Sequence, residues 1–315
     1  MWARRLMRGV CVCAPAAVPA AASLRLRRDG RTLCDSLGAG PGPTPSFSVA
    51  SYNVLCSTYA VKWGEREGVG ADGASNWVAR WPAMRDIMRR ACWDVVCLQE
   101  VEYTDADDIV AGLGAEYQAH YFKHAKRPPD GVLIAVRGSA ANGSLATREL
   151  QWKSSVAFGC VAFTLSSCAR RVRVITAHMR GKNLQQLADL QTFADEGSPV
   201  DITVITGDFN EDFGTGEGNF SCPFVDGPLG CWVTLHRDSG LPEVSRPPHK
   251  QGPDQKSGKG KIDFIFVRAN PLTCGAELFR DQASREAIIA SHGPCQATGQ
   301  WPSDHGAEAL SVLVQ

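Results

Sequence analysis

Residues 202–210 read Ile-Thr-Val-Ile-Thr-Gly-Asp-Phe-Asn. The first five are all β-branched, and the run has the length of one strand, so it predicts a buried β-strand. It stops at a glycine, a carboxylate and an amide. Polar chemistry is therefore expected where this strand ends. Working outward, similar apolar runs recur at 49–55, 95–98, 132–136, 156–165, 172–177, 262–267 and 309–314. Helical spacing appears between some of them. Over 76–91 the residues Trp77, Trp81, Met84, Ile87 and Met88 share one face. Residues 105–113 open on an acidic turn, as a helix N-terminus favours, and 184–194 form a third candidate helix. Many strands with few helices between them predict an α/β fold of paired sheets flanked by helices.

Composition narrows the class. The chain has 315 residues, with 44% hydrophobic and 21% charged, enough for a sizeable core. Lys+Arg and Asp+Glu are both 33, giving a net charge of +0. That excludes a globally basic nucleic-acid coat and an acidic solvating tail, while leaving room for a local basic site. The 12 cysteines include no C-x-x-C pair, so zinc-ribbon and thioredoxin-type motifs are excluded and a reducing compartment is expected. No apolar stretch reaches 18 residues, so no membrane span is expected.

Residues 1–46 differ from the rest. Arginines stand at 4, 5, 8, 25, 27, 28 and 31, the only acids are Asp29 and Asp35, and the segment ends in Gly-Ala-Gly-Pro-Gly-Pro-Thr-Pro-Ser. This reads as a disordered leader, with an organelle transit peptide as its functional form. A mitochondrial location is expected on that reading, and a cytoplasmic one otherwise. Residues 47–315 read as a single globular domain. Within it, 237–261 is polar and proline-bearing and reads as a long functional loop.

The informative feature is what accompanies each apolar run. Asn53 lies in the first, and Gln99-Glu100 ends the second. His178 ends the run at 172–177, Asp208 and Asn210 end that at 202–206, Asp263 lies within 262–267, and Asp304-His305 precede the last. Strands held in a sheet can present such side chains to one shared site. The types suit metal-assisted phosphoester chemistry. Carboxylates and an amide hold a hard cation through oxygen, and imidazoles donate to phosphate oxygens or exchange protons. With no thiolate in the set, Mg²⁺ is expected, with Mn²⁺ as a substitute.

The ordered set Ser-Tyr-Asn-Val-Leu, Cys-Leu-Gln-Glu-Val, Asp-Gly-Val-Leu-Ile, Thr-Ala-His, Gly-Asp-Phe-Asn, Ile-Asp-Phe-Ile-Phe and Ser-Asp-His resembles the endonuclease/exonuclease/phosphatase superfamily of DNase I and exonuclease III, over residues 47–314. Trp77-x-x-Arg80, then Gln99-Glu100-Val101-Glu102 and Pro129-Asp130-Gly131, resemble the carbon-catabolite-repressor-4 deadenylase, angel and nocturnin branch, nocturnin most of all. The resemblance implies a DNase I-like four-layer α/β-sandwich of two packed mixed sheets flanked by helices. It implies Glu100 as the main Mg²⁺ ligand with Asn53 beside it. Asp208 and Asn210 would position water or phosphate, and His178 and His305 would stabilise phosphoryl charge. Asp304 would orient His305 or hold a second metal, and Asp263 would support His178 or the metal region.

For substrate binding the resemblance points to Lys123, Asp130, Arg180 and Lys182, the last two following His178 at alternate positions. These suit a nucleotide, an NADP(H)-type dinucleotide phosphate or an RNA 3′ end. A poly(A)-specific 3′-exoribonuclease is the alternative, and a catalytically inactive nucleotide-binding module the alternative of another class. No protein partner is implied, and a monomer is expected.

Overall fold

The computed structural model describes residues 25–26, 44–61, 77–124, 129–148, 157–181, 183–211, 232, 262–292, 303 and 305–315. In chain order the elements are β1 (Arg25–Leu26), β2 (Ser46–Asn53), α1 (Trp77–Ala91), β3 (Val95–Glu102), α2 (Ala106–Leu113), β4 (Tyr117–Lys123), β5 (Asp130–Arg137) and β6 (Ala141–Arg148). Then follow β7 (Ala157–Leu165), β8 (Arg171–His178), α3 (Leu184–Asp195), β9 (Ile202–Asp208), β10 (Asp263–Ala269), β11 (Ala276–Phe279), α4 (Gln282–Ser291) and β12 (Glu308–Val314).

The strands form two mixed sheets. One has seven strands in the order β1-β11-β12-β2-β3-β5-β4, the other five in the order β10-β9-β8-β7-β6. In each sheet two central strands run parallel, β2 with β3 and β8 with β9. Between the sheets lies a core that includes Val49, Val95, Val132, Val161, Val174, Val204 and Ile265. On the outer face of the larger sheet, Trp77, Trp81 and Met84 of α1, Ile109 of α2 and Ile288 of α4 cover Tyr52 and Leu98. On the outer face of the smaller sheet, Leu187, Leu190 and Phe193 of α3 cover Ile175 and Ile205. Burial on both faces explains why the central strands read as continuous apolar runs rather than alternating ones. This is the expected four-layer sandwich.

Several elements differ from the sequence reading. β4, β6, β11 and α4 were not expected. Ser46 pairs with Leu313, and the Pro45 carbonyl accepts from the Val314 N–H. Arg25–Leu26 pair in parallel with Glu277–Leu278 of β11. The 237–261 loop lies outside the described residues. Among those described, no helix is long and apolar enough to cross a membrane.

Candidate active site

The two parallel pairs carry the site at their ends. Asn53 is the last residue of β2, His178 the last of β8 and Asp208 the last of β9, with His178 opposite Asp208 in register. Glu100 reaches the site by a different device. The pairing of β3 with β5 shifts between Gln99 and Val101, so Glu100 is the extra residue of a bulge, with φ +56°. A bulge re-aims one side chain out of the regular alternation. Leu55 and Asn210, at φ +57° and +52°, also hold left-handed backbone beside this site. Such conformations cost about 1–3 kcal/mol each and are kept where the surroundings impose them. Beneath the site, buried Gln99 donates to Thr176 Oγ1 of the other sheet at 2.8 Å and to Ser51 Oγ at 3.2 Å, tying the layers together.

Asp208 is the centre of the cluster and is 1% exposed. Its Oδ1 accepts from the Asn210 N–H at 2.8 Å and its Oδ2 from Asn53 Nδ2 at 3.0 Å. The same Asn53 nitrogen donates to Glu100 Oε1 at 3.0 Å, while Asn53 Oδ1 accepts from the Leu55 N–H. The Leu55 donor fixes which way the amide faces. Asn53, expected beside Glu100 at the metal, therefore turns a donor toward the two carboxylates. Glu100 Oε2 is held by the Cys56 N–H at 3.1 Å.

Two imidazoles approach this acidic centre. His178 Nε2 lies 3.6 Å from Glu100 Oε1, 3.7 Å from Asp208 Oδ2 and 3.2 Å from Asn210 Nδ2. His305 Nε2 lies 3.6 Å from Asp208 Oδ2, and its Nδ1 bonds Asp263 Oδ2 at 2.8 Å. Asp263 begins β10 opposite Asp208. The sequence reading gave Asp263 to His178 or the metal region; its carboxylate lies against His305 Nδ1. The Ser303 hydroxyl donates to the Asn53 carbonyl at 2.6 Å and accepts from the His305 N–H at 3.3 Å, fixing the segment before β12 against β2.

The remaining candidates are placed differently. Asp130, expected to touch substrate, is 2% exposed, and its Oδ2 lies 4.0 Å from His178 Nδ1. It sits behind the imidazole. Lys123 pairs with Gly131, one step from Asp130, so alternation puts it on the other face of the sheet. There its ammonium lies 5.8 Å over the Tyr103 ring. Arg180 is exposed, two residues past the end of β8, its N–H donating to Gln186 Oε1. Lys182 and Asp304 lie outside the described residues.

Sequence reasoning missed the residues that hold the site in place. Arg80, 1% exposed, donates to the carbonyls of Val54 and Leu55, both at 2.7 Å, and so supports the loop that binds Glu100. Trp77-x-x-Arg80 was the signal, but its spelling carries no chemistry by itself.

Ligand atoms of Glu100, His178 and Asp208 lie within 4.8 Å of one another, as do those of Asp208, Asp263 and His305. The first set fits a hard divalent cation: two carboxylates converge, and Mg²⁺ is commonly held by one or two carboxylates plus substrate phosphate. The second set is less suited, because the Asp263–His305 hydrogen bond already engages both groups.

Comparison with known proteins agrees with this geometry. The Endonuclease/Exonuclease/phosphatase family matches residues 50–305. No curated protein sequence matches the chain. Among solved structures, ANGEL2, described as a 2′,3′-cyclic phosphatase, superposes with a TM-score of 0.58 at 18% identity, covering 85% of this chain and 95% of that one. The human nocturnin catalytic domain with bound sulfate gives 0.57 at 14% identity, covering 87% and 96%. A family protein from Bacteroides thetaiotaomicron gives 0.60 at 16%, covering 86% and 98%. At these identities the likeness is one of fold.

Proposed function

Because the chain belongs to the endonuclease/exonuclease/phosphatase family, whose members hydrolyse phosphoester bonds, we propose that it is a Mg²⁺-dependent phosphoesterase of the nocturnin and deadenylase kind. Its proposed substrate is a phosphate ester of a nucleotide, an NADP(H)-type dinucleotide or an RNA 3′ end. The observation that carries this reading is the meeting of Asn53, Glu100, His178, Asp208, Asn210, Asp263 and His305 at one edge of two packed sheets.

Glu100 and Asp208 would hold the cation, which supplies charge neutralisation for the phosphoryl oxygens. The protein's own groups do the rest. Asn53 keeps the two carboxylates together. Asp263 holds Nδ1 of His305 and leaves Nε2 directed at the phosphoryl position, where an imidazole can donate as charge develops. His178 and Asn210 face the same position from the β8 side. Exposed Arg180, just beyond His178, favours a substrate with an additional phosphate.

The reading is tested by purified protein on 2′,3′-cyclic AMP, NADP(H) and oligo(A), each with Mg²⁺ and with chelator. Metal-dependent turnover of one class supports it. Turnover that ignores the chelator, or none on any phosphoester, contradicts it. The Arg-rich leader supports a mitochondrial address, which a reporter carrying residues 1–46 tests directly; a diffuse cytosolic signal would remove it.

A further inference from the structure

The far end of the smaller sheet, away from the catalytic edge, carries a polar row of its own. Arg173 of β8, Thr203 of β9 and Arg268 of β10 are register partners, so their side chains stand abreast on one face. The next residues along, Val174, Val204 and Val267, belong to the core between the sheets, which puts the row on the outer face, under the end of α3. A cavity of about 330 Å³ lies there, bounded by this row, by residues 194–201 and by Asn270. That volume suits a small ligand. β9 runs from Thr203 at the cavity to Asp208 in the catalytic cluster, so the two places lie roughly 17 Å apart.

Charge in this cavity is unbalanced. Arg173 is 8% exposed, and among the described residues no carboxylate pairs with it. Its Nη1 and Nη2 donate to the Ala194 and Ser198 carbonyls, both at 2.7 Å, which fixes the guanidinium at the C-terminal end of α3. Burial, with Arg148, Arg171 and Arg268 close by, pulls its pKa below the ordinary range. The nearby carboxylates are engaged by other arginines. Asp195 pairs with Arg268 at 2.5 Å and Glu196 with Arg148 at 2.8 Å. Asp201 lies 3.5 Å from Arg170 and accepts from the Arg171 N–H at 2.8 Å. Arg268 is also held from behind, its guanidinium 4.4 Å over the Trp232 ring. Between the two arginines stands Thr203, 4% exposed, whose hydroxyl has no partner among the described residues. A buried cation without a counter-charge is costly, and an anion in the cavity would relieve it. Two guanidinium forks with a hydroxyl between them, across roughly 10 Å of sheet, match the oxygens of a phosphate group.

We propose that this cavity is a binding site for a small phosphate-bearing anion, separate from the catalytic cluster, in which Arg173 and Arg268 hold the phosphate oxygens and Thr203 donates between them. The site stands whether or not the phosphoesterase reading does, because it shares no residue with the catalytic edge.

The experiment titrates the full chain, labelled with ¹⁵N-arginine and kept in chelator, with inorganic phosphate and separately with AMP, against chloride at matched ionic strength. Arg173→Gln and Arg268→Gln assign the two Nε–H signals. Ser198→Phe fills the mouth of the cavity without removing a charge, and it keeps the backbone carbonyl that holds Arg173. Both signals should shift saturably with phosphate or AMP and stay still in chloride. A response to phosphate identifies the free ion as sufficient; a response to AMP alone identifies a nucleotide. Ser198→Phe, and Arg268→Gln read at Arg173, should each weaken the affinity roughly tenfold or more, as loss of a charge-assisted contact does. Should Arg173→Gln fail to fold, the Arg268 signal in wild type and in Ser198→Phe decides. No saturable shift with either anion, or an affinity that Ser198→Phe leaves unchanged, overturns the proposal and leaves Arg173 as a cap for α3.

Discussion

His178 and His305 bring their Nε2 atoms to 3.7 and 3.6 Å of one oxygen, Oδ2 of Asp208. They come from different sheets, His178 from the end of β8 and His305 from just before β12. Both have a carboxylate on the Nδ1 side, Asp130 at 4.0 Å and Asp263 at 2.8 Å. The shorter contact marks His305 as the more firmly fixed ring. Two imidazoles aimed at one anionic centre from two directions suit phosphoryl transfer, which depends on positioning and on charge neutralised at several oxygens.

Asp263→Asn tests the firmer pair. The amide would present either a donor or a weaker acceptor to His305 Nδ1 and release the ring's orientation. We expect kcat to fall by about 10²-fold or more with KM little changed, measured by steady-state kinetics on whichever phosphoester proves active. His305→Ala should fall as far, and the double variant no further. A loss confined to KM would make the pair a substrate clamp.

Arg180→Ala separates the substrate readings. On a phosphorylated dinucleotide the guanidinium would be one of few phosphate contacts, and its loss should weaken kcat/KM by about 1.5–3 kcal/mol. On oligo(A) it would be one of many, so the loss should be milder and more salt-dependent. Kinetics on NADP(H) and oligo(A) at two salt concentrations check this. A larger loss on oligo(A) would favour the exoribonuclease.

Gly207→Ala addresses the scaffold. Gly207 has φ +146° and packs against Ala177 of β8, where a Cβ would overlap the Ala177 carbonyl. Backbone must shift, and the shift falls next to Asp208. We expect a destabilisation of about 3 kcal/mol by urea unfolding, with loss of activity. A neutral variant would mean that the β8–β9 contact is looser than described.

Asp94 gives a pH dependence. Burial raises its carboxyl above the ordinary value, against the pull of the Ser48 N–H and hydroxyl, which donate to Oδ2 at 2.9 and 3.0 Å. The folded state then holds this proton more tightly than the unfolded chain does. Stability linked to Asp94 is fully present below the unfolded value of about 3.9 and declines as pH rises from there through the raised folded value. Asp94→Asn should flatten that decline in unfolding free energies measured from about pH 4 to 7. An unchanged slope would assign it to other groups.

The long buried strands and most of the polar cluster were legible because each strand is covered on both faces and ends in a polar group of distinct type. Less legible were elements whose burial is one-sided or slight. β6 is exposed along most of its length, and β4 alternates around Gln118 and His120, so neither makes an apolar run. The orientation of functional side chains was also hidden. Nothing local tells that Asn53 turns its nitrogen toward Glu100, that Asp263 pairs with His305, or that Lys123 falls on the far face from Asp130. Those facts come from register and from the bulge at Glu100, both set by partners distant in sequence.

The most direct test of the central claim is Glu100→Gln compared with wild type in Mg²⁺, by turnover on the substrate panel and by thermal melts with and without metal. The substitution removes one charge at nearly constant volume. Glu100→Gln should leave a folded protein, with loss of rate by orders of magnitude and loss of most of the stabilisation that Mg²⁺ gives wild type. A Glu100→Gln protein that keeps its turnover and its metal-dependent melting shift would contradict it.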